Sequence, residues 1–253
     1  MFTKSHSRRY LLLALLLLLT AVAGVRIADV ADSHSVPAKT ASSSTEAEAL
    51  SAIHRTANMD HTVKGRTSDS ASPTVTEHKL RIDNSRERYL MVLQEVNSTG
   101  SIQWASAQFG TEGSGWTNEN YSGSGNWHEA HSLRYTGPMS IVAPAPIRQT
   151  ELSVLSSNQT TLVLQAGNDT AVNSAVTGVS AFDLPQSYNS TLTIVIDRQN
   201  QTLSRIAVDS VGEKQNRSFR LVYRYVDVGE TRVERPRGTQ FSMKEIIGDI
   251  VYG

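Results

Sequence analysis

The sequence predicts an α+β fold that is mostly antiparallel β-sheet. After Pro73 the apolar residues recur at every second position, and short turns rich in Asn, Asp and Gly separate these segments. One amphipathic helical segment precedes them, and no helices alternate with the strands. A doubly wound parallel sheet is therefore not expected, because parallel strands need helical crossovers.

The helical segment begins at a T-x-x-E capping box that runs from Thr45 to Glu48. Apolar residues follow at a spacing of three and four, so we expect a short amphipathic helix over residues 46–58. A closing helix is also predicted near the end of the chain, over residues 242–250.

The strand predictions are strongest in the last third of the chain, where two alternating runs flank the turn Asp197–Asn200. In the last strand, alternate positions from Phe219 to Tyr225 are apolar. That face is either core or the lining of a ligand cavity, since both use the same residues. The predicted strands are 76–82, 89–96, 102–109, 152–155, 161–165, 176–184, 191–196, 202–208 and 218–228.

Residues 1–25 have the organisation of an export signal. A basic flank precedes an apolar run from Leu11 to Val25, and Ala21-Val22-Ala23 supplies an A-x-A cleavage site. The hydrophobic helix is expected either to be cleaved as a signal peptide or to stay as an N-terminal membrane anchor. Arg8-Arg9 fits a twin-arginine signal, and the Leu-rich core fits the general secretory route equally well.

The rest of the chain divides into a linker and one domain. Residues 26–44 are small and polar without apolar periodicity, which predicts a flexible linker. Residues 45–253 form the predicted extracytoplasmic β-rich domain. The localisation that follows is the outer face of the cell membrane or the medium.

Composition excludes several classes of function. The chain has no cysteine, so disulfides, Cys-ligated metals and Cys nucleophiles are excluded. Without residues 1–25 it carries 21 basic and 24 acidic side chains, and nucleic-acid binding, which requires a basic protein, is not expected.

Asn-x-Ser/Thr sequons are frequent for a chain with 12 asparagines, which supports export and predicts a glycoprotein. The alternative is that a Ser/Thr-rich composition inflates the count and the sites stay bare. The candidate acceptors are Asn97, Asn120, Asn158, Asn168, Asn189, Asn200 and Asn216.

Catalytic and metal-binding motifs are absent from the sequence. There is no G-x-S-x-G elbow, phosphate-binding loop or G-x-G-x-x-G fingerprint. His128-Glu129-Ala130-His131 approaches the H-E-x-x-H zinc motif, but the second histidine is one residue too early to share a helical face with the first. We therefore expect a non-enzymatic protein without a cofactor or metal.

An aromatic and Gly-rich segment, residues 104–127, is the best candidate for a surface-binding loop. Trp116, Tyr121 and Trp127 lie there among Gly, Ser and Asn, a composition that suits an adaptable binding surface and sugar stacking. The alternative is that these rings are core or cover a sheet edge.

The C-terminal sequence Y-R-Y-V-D-V-G-E-T-R-V-E-R-P, residues 223–236, resembles an uncharacterised family of haloarchaeal extracytoplasmic lipoprotein-like proteins. Val22-Ala23-Gly24-Val25 is similar to a lipobox in which Val25 replaces the lipid-bearing cysteine. The order of leader, linker, helix and paired strands looks like LolA/LppX-type lipoprotein carriers. This resemblance implies a half-barrel sheet with a few packed helices and an apolar cavity for acyl chains.

Two functions from different classes follow. The first is an extracytoplasmic protein that binds a lipid or another apolar ligand in a half-barrel cavity. The second is a cell-envelope interaction module that binds glycan or protein through the aromatic segment 104–127. In both, the membrane is a partner through the N-terminal segment.

Overall fold

The computed structural model describes residues 39–119, 121, 126–135, 151–167, 188–212 and 217–239. In this part of the chain, twelve strands form one open sheet in which all neighbouring strands are antiparallel. This confirms the prediction of a mostly antiparallel β fold with a helix before the main strands. The leader, the predicted strand 176–184 and the predicted helix 242–250 lie outside the described residues.

The strands are numbered in chain order and include every strand prediction that falls within the described residues. They are β1 (Lys39–Thr40), β2 (His61–Asp69), β3 (Thr74–Asp83), β4 (Arg88–Asn97), β5 (Ile102–Thr111), β6 (Gly115–Asn118), β7 (His128–Glu129), β8 (Ser153–Ser157), β9 (Thr161–Ala166), β10 (Tyr188–Asp197), β11 (Thr202–Gly212) and β12 (Ser218–Val226). Their order across the sheet is β1-β8-β9-β10-β11-β12-β2-β3-β4-β5-β6-β7.

The helix α1 (Ser43–Asn58) begins three residues before its predicted start. Ser42, rather than Thr45, is its N-cap, and the Ser42 hydroxyl accepts a hydrogen bond from the Thr45 N–H at 3.3 Å. The predicted capping box is therefore wrong. Residues 39–44 of the predicted linker include β1 and the first two residues of α1.

The main hydrophobic core lies on the sheet face that α1 covers, which we call the helix face. Ala49, Ala52 and Ile53 of α1 belong to the same buried cluster as the inward side chains of the central strands. Thr56 joins helix and sheet, because its hydroxyl donates to Ala52 O and accepts from the Leu203 N–H, both at 2.8 Å. The predicted apolar face of the last strand is core here: Phe219, Leu221, Tyr223 and Tyr225 are all buried.

The opposite side of the sheet, which we call the groove face, carries a smaller buried cluster. Phe109, Trp116 and Val233 form it, with Leu90 and Trp127 packed against them. Val233 belongs to a C-terminal strap, residues 227–239, that leaves β12 and crosses the groove face over the ends of β2, β3 and β4. The strap contains residues 227–236 of the C-terminal segment that carries the resemblance, and residues 223–226 of that segment belong to β12.

Candidate functional site

An open groove with a volume of about 720 Å³ lies on the groove face. Strands β2, β3, β4 and β12 form its floor, and Tyr121 reaches it from the segment after β6. The lining residues are Lys64, Gly65, Arg66, Glu77, His78, Lys79, Arg81, Leu90, Val92, Gln94, Tyr121, Val222 and Arg224. The charged side chains of β2 and β3 thus lie between aliphatic side chains on β4 and β12.

The groove is strongly basic although the whole chain is neutral. Among the described lining residues, Glu77 is the one acid, against five lysines and arginines. Within the described residues, no carboxylate lies within 4.0 Å of the basic groups of Lys64, Arg66, Lys79 or Arg81. In the part of the chain that the structure describes, these four cations therefore have no ion-pair partner.

Strand register places like charges directly opposite one another at the centre of the groove. Lys64 on β2 pairs in register with Lys79 on β3 and with Arg224 on β12. Arg224 in turn pairs in register with Arg205 on β11. We call these four residues the cation row. Like charges at directly opposed positions destabilise a sheet, so ordinary strand pairing does not favour the row.

The strap packs against the groove face beside the groove, and none of the described lining residues belongs to it. The Thr231 hydroxyl hydrogen-bonds the Thr62 hydroxyl at 2.9 Å, and the Val233 N–H donates to Asp83 Oδ2 at 3.1 Å. Asp227 and Gly229 adopt positive φ values of 53° and 86° where the strap turns away from β12. The C-terminal pattern thus serves a structural purpose in this chain, since its residues turn the strap and anchor it.

Tyr121 lines the groove from the segment that follows β6. Its backbone N–H donates to Ala105 O at 3.1 Å, which returns the chain to β5 after β6. Its half-buried ring meets the Trp127 ring edge to face, with centroids 5.9 Å apart. Two of the three predicted surface aromatics therefore lie together, and Tyr121 lines the groove.

Trp116 does not take part in this surface, and its prediction as a binding residue is wrong. Its side chain is only 4% exposed and stacks on Phe109 at a centroid distance of 5.5 Å. The Arg235 guanidinium covers the indole at 4.8 Å from the ring centroid. Trp116 is buried because β6 pairs with both β5 and β7, and the strap covers that end of the sheet.

Buried polar groups lie directly behind the groove floor. His78 Nε2 is 2.9 Å from the Thr67 hydroxyl, and His78 Nδ1 is 3.2 Å from the Tyr223 hydroxyl. Burial lowers the pKa of His78 to about 4, so its imidazole is neutral at pH 7. With both ring nitrogens engaged by internal partners, His78 fills a structural position and has no free nitrogen for acid–base chemistry.

A second buried polar pair lies on the helix face of β5. Ser106 and Gln108 are 2% and 1% exposed. In the part of the chain that the structure describes, the Ser106 hydroxyl and both polar atoms of the Gln108 amide have no hydrogen-bond partner. They lie opposite Leu93 and Met91, beside an otherwise apolar surface.

Four of the seven candidate glycosylation sites are described. Asn158 and Asn200 are exposed at turns, Asn189 is exposed on β10, and Asn97 is half-buried at the end of β4. The Asn97 and Asn158 side-chain carbonyls accept hydrogen bonds from the N–H groups two residues later, at 3.0 and 2.9 Å. The sequons at Asn120, Asn168 and Asn216 lie outside the described residues.

Among the described residues, no group of three or more His, Asp or Glu side chains could hold a metal ion. His128 and Glu129 form the short edge strand β7 and are both exposed. No helix in the described ranges is long and apolar enough to cross a membrane.

Comparison with family models and with curated proteins gives no match for this chain. Sequence reasoning identified Tyr121 but missed the cation row, because the row exists only when four separate strands are aligned. The one visible signal was Lys79 and Arg81, which alternate with the core positions of β3.

Proposed function

We propose that this protein is an exported, non-enzymatic interaction module that binds a glycan of the cell envelope in the groove on the face away from α1. The observation that carries the proposal is the side chain of Tyr121, half-buried at the edge of a 720 Å³ groove with a partly aliphatic floor. A ring at the edge of a polar groove presents a flat apolar face to the C–H groups of a sugar.

Tyr121 has the support that such a contact needs. Trp127 holds its ring from one side, and the backbone bond to Ala105 holds its main chain against the sheet. The groove extends from Tyr121 over β4, β3, β2 and β12, so a chain of several units has room to lie along it. The N-terminal leader would deliver this face to the outside of the membrane.

Binding to an isolated envelope fraction tests the proposal. The full chain should sediment with the fraction, and periodate oxidation of the fraction, which cleaves sugar diols, should abolish binding. Tyr121→Ala should weaken binding about tenfold, the effect of losing one well-packed aromatic contact. Binding that survives periodate, or that Tyr121→Ala leaves unchanged, contradicts a glycan-binding groove.

Ile102→Ala is the matched control for Tyr121→Ala. Ile102 is a large apolar side chain on the adjoining strand, 56% exposed, and it does not line the groove. Its removal should leave binding intact. An equal loss in both variants would show that general surface stickiness, rather than the groove, holds the protein to the envelope.

Ser106 and Gln108 favour a second candidate function, the binding of an apolar ligand in a LolA-like half-barrel. Buried polar atoms without partners are costly, and a ligand with one polar group and an apolar body would satisfy them on the helix face. Organic extraction of the protein from its own membrane fraction, followed by native mass spectrometry, tests this. A releasable lipid that Gln108→Leu eliminates supports it, and a ligand-free wild-type mass contradicts it.

A further inference from the structure

Two of the candidate sequons, those at Asn97 and Asn158, have the same local structure. In each, the asparagine Oδ1 accepts two hydrogen bonds from the threonine two residues later, one from its backbone N–H and one from its hydroxyl. The distances are 3.0 and 2.7 Å from Thr99 to Asn97, and 2.9 and 3.0 Å from Thr160 to Asn158. The fold thus brings together the two groups that a sequon specifies, the carboxamide and the hydroxyl.

The turns themselves hold both asparagines in place. Asn97 lies at the turn between β4 and β5, where its backbone N–H donates to Ser101 O at 3.0 Å and its Oδ1 accepts from the Ser101 N–H at 2.9 Å. Asn158 lies at the turn between β8 and β9. Its N–H donates to Thr161 O at 2.9 Å, and its carbonyl accepts from the Arg198 guanidinium at 2.7 Å. The arrangement therefore exists in the folded protein without any further ordering.

The amide nitrogens of both side chains are free. In the described part of the chain, neither Asn97 Nδ2 nor Asn158 Nδ2 takes part in a hydrogen bond. Asn158 is exposed. Asn97 is half-buried, but its Nδ2 is not one of the buried side-chain atoms without a partner, so this nitrogen reaches solvent. Both nitrogens are open to an approaching enzyme.

The other two described sequons lack this arrangement. Asn200 Nδ2 donates to Asp197 Oδ2 at 2.8 Å, and the threonine of that sequon, Thr202, is only 4% exposed at the start of β11. Asn189 and Thr191 both lie on β10, where a rise of about 3.3 Å per residue holds the two residues roughly 7 Å apart. The fold therefore separates four sequons that are equivalent in sequence into two classes.

We infer that Asn97 and Asn158 are N-glycosylated in the exported protein, and that Asn189 and Asn200 stay bare. In the reaction, Nδ2 attacks C1 of an oligosaccharide that is carried on a lipid phosphate. The Nδ2–C1 bond forms, the bond from C1 to the phosphate oxygen breaks, and the amide nitrogen loses one proton while the lipid phosphate leaves. The donor and the transferring enzyme are supplied by the compartment to which the leader would direct the chain.

The position of the two sites makes them independent of each other and of the groove. All neighbouring strands are antiparallel, and the order of the sheet makes β4 and β8 run in opposite directions, so the two turns lie at opposite ends of the sheet. Neither asparagine lines the groove. The modification therefore goes beyond the proposed function, and either of the two can fail while the other stands.

Mass spectrometry of proteolytic peptides from the full-length protein, purified from its own exported fraction, tests the inference. Peptides that contain Asn97 or Asn158 should carry a glycan, and those that contain Asn189 or Asn200 should not. A bare Asn97 or Asn158 would overturn the inference, and so would equal occupancy of all four sites. A protein that carries both glycans but does not bind the envelope fraction would support the inference and contradict the proposed function.

Transfer in vitro separates the effect of the fold from that of the local sequence. Folded, unmodified protein is incubated with a purified oligosaccharyltransferase and a lipid-linked oligosaccharide. Transfer to Asn189 and Asn200 should be at least about tenfold slower than to Asn97 and Asn158, because a strand or a bond to a carboxylate must open first. Synthetic peptides should be modified at similar rates, and the same ranking in them would contradict selection by the fold. The peptides are residues 93–103, 154–164, 185–195 and 196–206.

Two double variants provide the matched comparison. Asn97→Gln with Asn158→Gln should lower the intact mass of the exported protein by two glycans. Asn189→Gln with Asn200→Gln changes the same number of sequons and should lose no glycan. An equal loss of glycan mass in the two double variants would overturn the assignment.

Discussion

The ring of Tyr223 lies over the backbone of Gly65, its direct partner across β12 and β2. A side chain at Gly65 would place its Cβ 2.2 Å from the Tyr223 ring. Tyr89 and Gly110 repeat this arrangement across β4 and β5. Glycine weakens a strand by its freedom and lack of side chain, and an aromatic ring laid across it restores the packing.

Gly65→Ala should lower the free energy of unfolding by about 1–3 kcal/mol, because Tyr223 must leave its position and its contact with His78. Gly167→Ala is the matched control, since an added Cβ there meets no atom within 4 Å. Urea denaturation of both variants checks the prediction. A Gly65→Ala protein as stable as Gly167→Ala would mean that the Tyr223 ring moves aside without cost.

The strands that the sequence predicts have apolar residues at their core positions. Strand β2 was not predicted, and its composition shows why. Its helix face carries His61, Val63, Gly65 and Thr67, so only one of four inward positions is an aliphatic side chain. The polar members are buried because His61 Nδ1 contacts Met59 O and Thr67 contacts His78. Such partners come from elsewhere in the fold, and a hydrophobicity pattern does not contain them.

The same limit applies to the groove. Lys64, Lys79 and Arg224 are separated by up to 160 positions in the chain, and they become a row only through strand register. The composition gave no indication of a basic groove, because the whole chain has no net charge. The surface position of Tyr121 was predictable, because an aromatic residue in a Gly-rich segment is recognisable without knowledge of which strands pair. The burial of Trp116 was not, because the strap that covers it comes from the far end of the chain.

Trp116→Ala should destabilise the protein by about 3–5 kcal/mol, as expected for a buried indole that leaves a cavity. It also removes the ring on which Phe109 and Arg235 stack. Tyr121→Ala should cost less than about 1 kcal/mol, because that ring is half-exposed. Thermal or urea unfolding distinguishes the two. Similar small losses of unfolding free energy in both variants would indicate that Trp116 is a surface residue.

Asp83→Ala should release the strap from the groove face. Asp83 is completely buried, and its carboxylate accepts hydrogen bonds from the Val233 N–H, the Arg86 N–H and the Ser85 hydroxyl, at 3.1, 3.1 and 2.7 Å. Loss of these charge-assisted bonds should cost about 2–4 kcal/mol.

Hydrogen exchange locates the effect of Asp83→Ala. Amides of residues 229–235 should exchange faster, while those of β10 and β11 should change only by the global loss of stability. Glu87→Ala, an exposed carboxylate in the neighbouring turn, is the control and should leave the strap protected. Unchanged strap exchange in Asp83→Ala would show that Val233 and Thr231 suffice to hold it.

Arg198 connects α1 to two turns of the sheet, so Arg198→Lys should destabilise the protein by about 1 kcal/mol. The guanidinium contacts both carboxylate oxygens of Glu48, at 2.7 and 2.9 Å, and also donates to Asn158 O at 2.7 Å. A lysine ammonium cannot span these acceptors. Arg232→Lys, at a 61% exposed side chain, should have no measurable effect. Equal stability of the two variants would mean that the contacts of Arg198 contribute no more than those of an exposed arginine.

His78 should make the protein less stable as the pH falls from about 6.5 to about 4. Burial lowers its folded-state pKa to about 4, whereas the unfolded chain protonates near 6.5. Between these values the unfolded state binds more protons, so the free energy of unfolding decreases by up to about 3 kcal/mol and then levels off. Burial also lowers the pKa of His61, which acts in the same direction.

Urea denaturation at pH 7.5 and pH 4.5 measures this dependence, and His78→Gln should reduce the difference between the two pH values. His54→Gln, at an exposed histidine of α1, should leave it unchanged. The dependence remaining in His78→Gln would then belong to His61 and the carboxylates. A wild-type protein equally stable at both pH values would show that His78 is protonated in the folded state, and that the Thr67 and Tyr223 contacts rearrange to accommodate its charge.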